Sequence, residues 1–139
     1  MVSSRDPYVT VFIPTYYAEE YLEQLLDKLF KQKTDFAFEV LIYDTDSKDE
    51  TPKIIKKFAQ LHKNLRYKTI QKSEFGHGKT RQAAAEDARG EVIVYLSHDA
   101  IPAHERWLYE ITKPFSLNDK IVAVLGKQTP RPRACPLLK

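Results

Sequence analysis

The chain has 139 residues, 42% hydrophobic and 29% charged, with a formal net charge of +3. That is enough chain for one domain with a buried core, and the composition is that of an ordinary globular protein. The single cysteine, Cys135, excludes an intrachain disulfide and any cysteine-cluster metal site. No apolar run reaches the roughly 18 residues of a spanning helix, and residues 1–7 lack a signal-peptide apolar core. The default expectation is a cytoplasmic protein without a transmembrane segment, touching a membrane only peripherally or through a partner. The small positive charge suits an anionic ligand, and no aromatic stacking platform argues for nucleic acid.

Residues 8–13 (YVTVFI) are β-branched and apolar, the signature of a strand, with Pro14 as its end. After the Thr15-Tyr16-Tyr17 turn, Tyr21, Leu22, Leu25, Leu26 and Leu29 recur at helical spacing. Residues 36–43 (FAFEVLIY) predict a second strand closed by Asp44. In the polar loop that follows, Ser47 and Glu50 have capping-box spacing, with Asp49 as a rival N-cap. Ile54, Ile55, Phe58 and Leu61 form the apolar stripe of a second helix, and 65–70 a polar strand nearer an edge. Residues 71–80 carry two glycines and lead into an alanine-rich helix over 81–88, with Gly90 as its stop. The run 92–96 (VIVYL) predicts a strand buried on both faces and central to the sheet. A helix over 105–115, cut short by Pro114, and a last strand over 121–125 (IVAVL) complete the order β-α-β-α-β-α-β-α-β.

Such alternation implies a Rossmann-like α/β fold, a mainly parallel twisted sheet with helices on both faces. The domain is expected over 8–126, with 1–7 extended or disordered and 127–139 a proline- and base-rich tail.

Parallel strands finish on one side, where open α/β sheets bind ligands. Thr15 and Tyr16, Asp44, and Ser97-His98-Asp99 therefore converge there. Asp44 is positioned to accept from a ring N–H and Tyr16 to pack on a flat base; equally, Tyr16 and Tyr17 are simple packing at a helix entrance. Asp99 reads either as a ligand of Mg²⁺ or Mn²⁺ shared with phosphates or as a turn cap. His98 reads as ligand, acid–base group or spectator. Gly78, Lys79 and Arg81 at a helix start make an anion-friendly site, with Arg81 able to fork a diphosphate. Gly78-Lys79-Thr80 is also the tail of a P-loop, though Ser73 stands where its first glycine belongs, so an NTPase remains an alternative. Lys127, Arg131 and Arg133 read as phosphate-neutralising or, more simply, solvated.

Together these segments resemble the amino-terminal, nucleotide-sugar-binding half of the family-two inverting glycosyltransferases of GT-A fold. Residues 9–16 (VTVFIPTY) match the opening strand and turn, and 40–51 (VLIYDTDSKDET) the segment often written I-V-V-D-D-G-S-T-D-G-T. Residues 75–81 (FGHGKTR) resemble the stretch ending in the diphosphate-side arginine, and 96–102 (LSHDAIP) occupies the DXD position. The forms GHGKTR and S-x-D-A are similar to the rhamnosyltransferase branch. The resemblance implies transfer of a sugar from a nucleoside-diphosphate donor to a glycan or lipid-linked acceptor, as in polysaccharide biosynthesis. Pro14, Thr15, Tyr16, Asp44, Ser47, Gly78, Arg81, Ser97 and His98 are then the nucleotide-binding set, and Asp99 the ligand of a divalent metal, Mg²⁺ or Mn²⁺. Ser97 replaces the first acid of DXD, which weakens metal binding or makes the metal dispensable. Residues 126–139 contain no Asp or Glu, so the general base is expected beyond residue 139 and the chain is expected to be a truncated donor half. The alternative is a nucleotide-sugar-binding module without turnover.

Overall fold

A computed structural model describes residues 6–131. Its elements are β1 (Val9–Thr15), α1 (Leu22–Phe30), β2 (Phe38–Asp44), α2 (Thr51–Leu61), β3 (Leu65–Thr69), a 3₁₀ turn (Lys72–Glu74), α3 (His77–Asp87), β4 (Val92–Tyr95) and α4 (Trp107–Leu117). The strands form one parallel sheet in the order β3-β2-β1-β4. This is the Rossmann-like α/β architecture.

The sheet is asymmetric because its two faces carry different residues. Val9, Val11, Ile13, Val40, Ile42, Leu65 and Val94 belong to the larger core cluster. Against them α1 sets Leu22, Leu25, Leu26 and Leu29, all fully buried, with α2 adding Ile55 and Phe58 and α4 Leu108. Each such side chain contributes about 1.5–3 kcal/mol by leaving water. The opposite face holds Phe12, Leu41 and Tyr43 under Ala84 of α3. An alanine lets that helix lie close.

Behind α3 the same face carries a charged network. Glu39, only 4% exposed, accepts from Thr10 Oγ1 (2.8 Å), Arg66 Nε (2.9 Å) and the Arg89 N–H (2.9 Å). Asp87 accepts from Tyr43 Oη (2.8 Å) and Arg66 Nη1 (3.1 Å). Burial alone raises the Glu39 carboxyl, but Arg66 and the neutral donors outweigh it and hold the group below its usual range. Tyr43 is pushed up to about 12, by burial first and then by Asp87. The turn after α3 returns to β1 through Gly90, whose N–H donates to Thr10 Oγ1 at 2.9 Å. A Cβ there lies 2.6 Å from Thr10 N and 2.7 Å from Val9 C, so only glycine permits this approach.

Several expectations are corrected. Residues 121–125 form no strand; Val122 and Leu125 are almost fully exposed, because no neighbouring strand meets them among the described residues. For the same reason β4 lies at an edge rather than in the centre, pairing with β1 alone, and Tyr95 is 44% exposed. β1 runs through Pro14 to Thr15. Pro14 lies past the last β1–β4 pair, Phe12↔Tyr95, where its missing N–H interrupts no ladder. α3 starts at His77 instead of residue 81. α4 continues through Pro114 to Leu117, and the Thr112 hydroxyl caps the Leu108 carbonyl beside it at 2.8 Å. The predicted Ser47–Glu50 capping box is absent: Ser47 is engaged elsewhere, and Asp49 Oδ1 accepts the Thr51 N–H at 3.0 Å. The capping box that does form joins Gln71 and Glu74. Arg133 and Cys135 lie outside the described residues.

Candidate active site

In register, Thr15 of β1 is the partner of Asp44 of β2, so two polar strand ends meet side by side. Thr15 Oγ1 donates to Asp44 Oδ1 at 2.7 Å. Ser47 donates to the same oxygen through Oγ (2.7 Å) and to Oδ2 through its N–H (2.9 Å). Ser47 Oγ in turn accepts the Tyr17 N–H at 2.9 Å, and Thr51 Oγ1 accepts the Ala18 N–H at 2.8 Å. The loops after β1 and β2 are thereby laced together through a carboxylate that is 2% exposed.

That lacing holds two residues in left-handed backbone, Tyr17 (φ 50°) and Asp46 (φ 43°). Each costs on the order of 1–3 kcal/mol and persists where the surroundings over-determine it. The result is a pair of protruding rings: Tyr16 and Tyr17 are 45% and 48% exposed, edge to face with centroids 4.8 Å apart. Lys72 brings its Nζ to 5.7 Å from the Tyr16 ring. No motif marked Lys72; its place is set by the chain returning from β3, where the Ile70 N–H bonds the Asp44 carbonyl at 2.8 Å.

The second group of site residues surrounds the end of β4. Leu96 extends the ladder by donating to the Phe12 carbonyl, and the chain then turns, with the Ala100 N–H on the Ser97 carbonyl at 3.0 Å. Ser97 Oγ donates to Asp99 Oδ1 at 2.6 Å. That bond first, then the Asp99 backbone N–H and the charges of His98 and Arg131, hold the Asp99 carboxyl below its usual range against the opposing effect of burial. His98 Nδ1 is buried without a hydrogen-bond partner. Arg81 reaches the same strand from α3: its guanidinium carbon is 5.9 Å from the Tyr95 ring, and Tyr95 Oη donates to the Arg81 carbonyl at 3.3 Å. Gly78 has open space where a Cβ would be, so packing does not demand glycine there. Thr80 is turned inward, its Oγ1 accepting the Gly76 N–H at 3.1 Å. That hydroxyl caps a helix rather than facing a nucleotide-bound metal, as the P-loop alternative requires.

Thr15, Asp44 and Ser47 are therefore one bonded cluster under Tyr16, while Ser97, His98 and Asp99 follow β4 one strand over, with Arg81 against Tyr95 of that strand. The rim they share is open. A cavity of about 400 Å³ lies elsewhere, beside β3, lined by Leu41, Arg66, Lys68 and Asp87 among others. Arg66 and Asp87 there are already bonded to each other, and Lys68 lies over the Tyr43 ring, 4.3 Å from its centroid.

Among the described residues no group of three His, Cys, Asp or Glu side chains is assembled to hold a metal. The β4 turn offers one carboxylate and one unpartnered imidazole nitrogen. That donor set fits an ion carried chiefly by a diphosphate, since Mg²⁺ is commonly bound by one or two carboxylates plus substrate phosphates.

Residues 10–131 match the model of the family described as glycosyl transferase family 2. The chain is 35% identical over 130 residues to the O-antigen chain rhamnosyltransferase RfbN of Salmonella typhimurium, covering 93% of this chain and 40% of that protein. Among solved structures it is similar to Staphylococcus aureus TarS 1-349 in complex with UDP-GlcNAc, with a TM-score of 0.68, 29% identity, and coverage of 88% of this chain and 37% of that one. The mannosyltransferase PcManGT from Pyrobaculum calidifontis, in complex with GDP-Man and Mn²⁺, gives a TM-score of 0.67 at 29% identity, covering 79% and 32%. The chain thus spans about 40% of the length of the curated rhamnosyltransferase it matches. No helix among the described residues is long and apolar enough to cross a membrane. With residues 10–131 matched to the family and 35% identity to a relative over 93% of the chain, the chain belongs to glycosyl transferase family 2.

Proposed function

We propose that this chain forms the donor site of an inverting glycosyltransferase, binding a nucleoside-diphosphate sugar along the carboxyl ends of β1, β2 and β4. The observation that carries the reading is the Thr15–Asp44–Ser47 cluster, which holds the Tyr16 ring out toward solvent one strand away from Asp99. A flat exposed ring beside Lys72 suits a nucleobase. Arg81 suits the diphosphate, because a guanidinium matches phosphate oxygens with a fork of N–H donors. Pro14 lies just before the Thr15-Tyr16 turn, Gly78 leaves the start of α3 without a side chain, and Ser97 and His98 line the turn that carries Asp99.

Asp99 would hold a divalent metal, whose charge would offset that of a departing diphosphate. Mn²⁺ beside GDP-Man in the mannosyltransferase supports this. Ser97 in place of a second acid makes the ion depend on the nucleotide for its affinity. The base that deprotonates the acceptor hydroxyl is assigned to the length of the relatives that this chain does not span. The acceptor is a glycan or a lipid-linked glycan, as the similarity to an O-antigen chain rhamnosyltransferase supports.

Calorimetric titration with UDP, GDP and dTDP, each with EDTA and with Mn²⁺, tests the reading. Binding of one of them, strengthened by Mn²⁺, supports it. Failure of all three, with ATP binding that is lost in Lys79→Ala, overturns it.

A further inference from the structure

We propose that Arg131 is a second guanidinium of the diphosphate site, set on the opposite side of the β4 end from Arg81. The inference rests on the donor-site reading above and extends it to a residue that sequence composition assigns to a solvated tail.

Residues 127–131 have no regular secondary structure, yet Arg131 is fixed at two points. Its Nη2 donates to the carbonyl of Asp99. Its guanidinium carbon stacks 4.0 Å from the centroid of the Tyr21 ring. Tyr21 immediately precedes α1, which packs on the sheet face carrying Val94 and Leu96. Arg81 approaches from the other face, where Tyr95 packs edge-on against Phe12 with centroids 6.1 Å apart. The end of β4 therefore runs between two guanidiniums, Arg81 from α3 on one face and Arg131, held against Tyr21, on the other.

The charge arithmetic gives this arrangement a purpose. A lone carboxylate at a strand end repels a diphosphate, and with Ser97 next to it the turn has a single acid to attract a metal. The positive charge of Arg131, bonded to the Asp99 carbonyl, offsets the carboxylate's charge toward an arriving anion. A guanidinium has five N–H donors, and the Asp99 carbonyl takes one, so the fork retains donors for phosphate oxygens. The ring of Tyr21 fixes the plane of that fork without consuming donors. In this arrangement part of the diphosphate's charge is met by the protein, and binding survives removal of the metal.

The test uses the full-length protein and whichever of UDP, GDP and dTDP it binds, together with the matching nucleoside monophosphate and inorganic pyrophosphate. Affinities are measured by calorimetry in EDTA at low and high salt, for the wild type, Arg131→Gln and Arg131→Lys. We expect Arg131→Gln to weaken the diphosphate and pyrophosphate by about 10–100-fold, the loss of one charge-assisted contact. The monophosphate changes less than about threefold, the salt dependence flattens, and Arg131→Lys recovers part of the loss. Equal weakening of monophosphate and diphosphate makes Arg131 a brace for the turn and overturns the inference, as does unchanged affinity for both. A wild-type protein that binds none of the three diphosphates overturns the donor reading itself, an outcome separate from either of these.

Discussion

Thr15 and Asp44 are partners in the β1–β2 register, and the hydroxyl of one donates to the carboxylate of the other at 2.7 Å. With Ser47 on both carboxylate oxygens, Asp44 is occupied inward, so in the proposed donor site it would serve the nucleobase through the loops it ties rather than by direct contact. Asp44→Asn keeps the shape but places an amide against the Ser47 N–H or the two hydroxyls, whichever way it turns. One buried donor is left without an acceptor, a cost of about 1–3 kcal/mol. The expected result is a lower thermal midpoint and weaker nucleoside-diphosphate binding, with inorganic pyrophosphate binding retained. Pyrophosphate affinity falling in parallel contradicts this assignment.

Gly90 sets how closely the turn after α3 meets β1. Its missing Cβ is replaced by Thr10 and Val9 backbone atoms, which cannot swing aside as a side chain can. Gly90→Ala is expected to destabilise by about 1–3 kcal/mol, as overpacking does, and to loosen β4. Denaturant unfolding measures the first, and hydrogen exchange at Val92 and Val94 the second. An unchanged unfolding midpoint refutes it.

The strands β1 and β2 and the helix α1 were legible because their burial follows a local period: alternate or consecutive apolar residues in 8–13 and 36–43, and leucines at helical spacing. Residues 121–125 have the same composition and form no strand, since a strand also requires a neighbour, and pairing is not a local property. Asp44 was correctly placed at a strand end, but the direction of its carboxylate depends on Thr15, 29 residues away. Arg131 read only as one of three basic tail residues, phosphate-neutralising or solvated; the carbonyl that fixes it is 32 residues distant in the chain. Tyr17 and Asp46 carry left-handed backbone that residue type alone does not announce.

The Glu39–Arg66 pair predicts a pH response of stability. The folded-state carboxyl is held below its ordinary value, so its contribution is present above the unfolded pKa and is lost as pH falls through the folded one. Asp87, lowered by Tyr43 and Arg66 against the opposing effect of burial, acts in the same direction. Stability is therefore expected to fall below about pH 4.5, in the range where Asp and Glu ordinarily protonate. Glu39→Gln is expected to cost about 1–3 kcal/mol at pH 7 and to make the acid side of the curve shallower. Thermal midpoints from pH 3 to 7 for both proteins check this, and parallel curves count against it.

Lys79 separates the proposed donor site from an ATP-hydrolysing loop. Its neighbour Thr80 is buried as a helix cap, so the Gly-Lys-Thr sequence does not present the hydroxyl that a P-loop gives to its metal. Lys79→Ala is expected to change nucleoside-diphosphate affinity by less than about fivefold, the loss of one exposed charge. Thr80→Val is expected to lower the thermal midpoint by removing the acceptor for the Gly76 N–H, with little effect on affinity. Loss of all nucleotide binding in Lys79→Ala contradicts both.

Asp99 carries the metal assignment, and its ion should be visible only as an increment. Ser97 Oγ engages one carboxylate oxygen at 2.6 Å, leaving the other freer for a cation, and the residues beside it supply no second acid. A single carboxylate holds Mg²⁺ or Mn²⁺ weakly until phosphate oxygens complete the shell. Mn²⁺ alone is therefore expected to bind poorly to the wild type and well in the presence of the nucleoside diphosphate. Asp99→Asn keeps the turn and its Ser97 hydrogen bond but removes the charge. Nucleotide affinity in EDTA should be equal to or slightly better than wild type, since a negative charge beside the diphosphate is gone, while the gain on adding Mn²⁺ disappears. Electron paramagnetic resonance of Mn²⁺ measures the bound fraction independently of turnover. An Asp99→Asn protein that still binds Mn²⁺ and nucleotide together as the wild type does places the metal elsewhere.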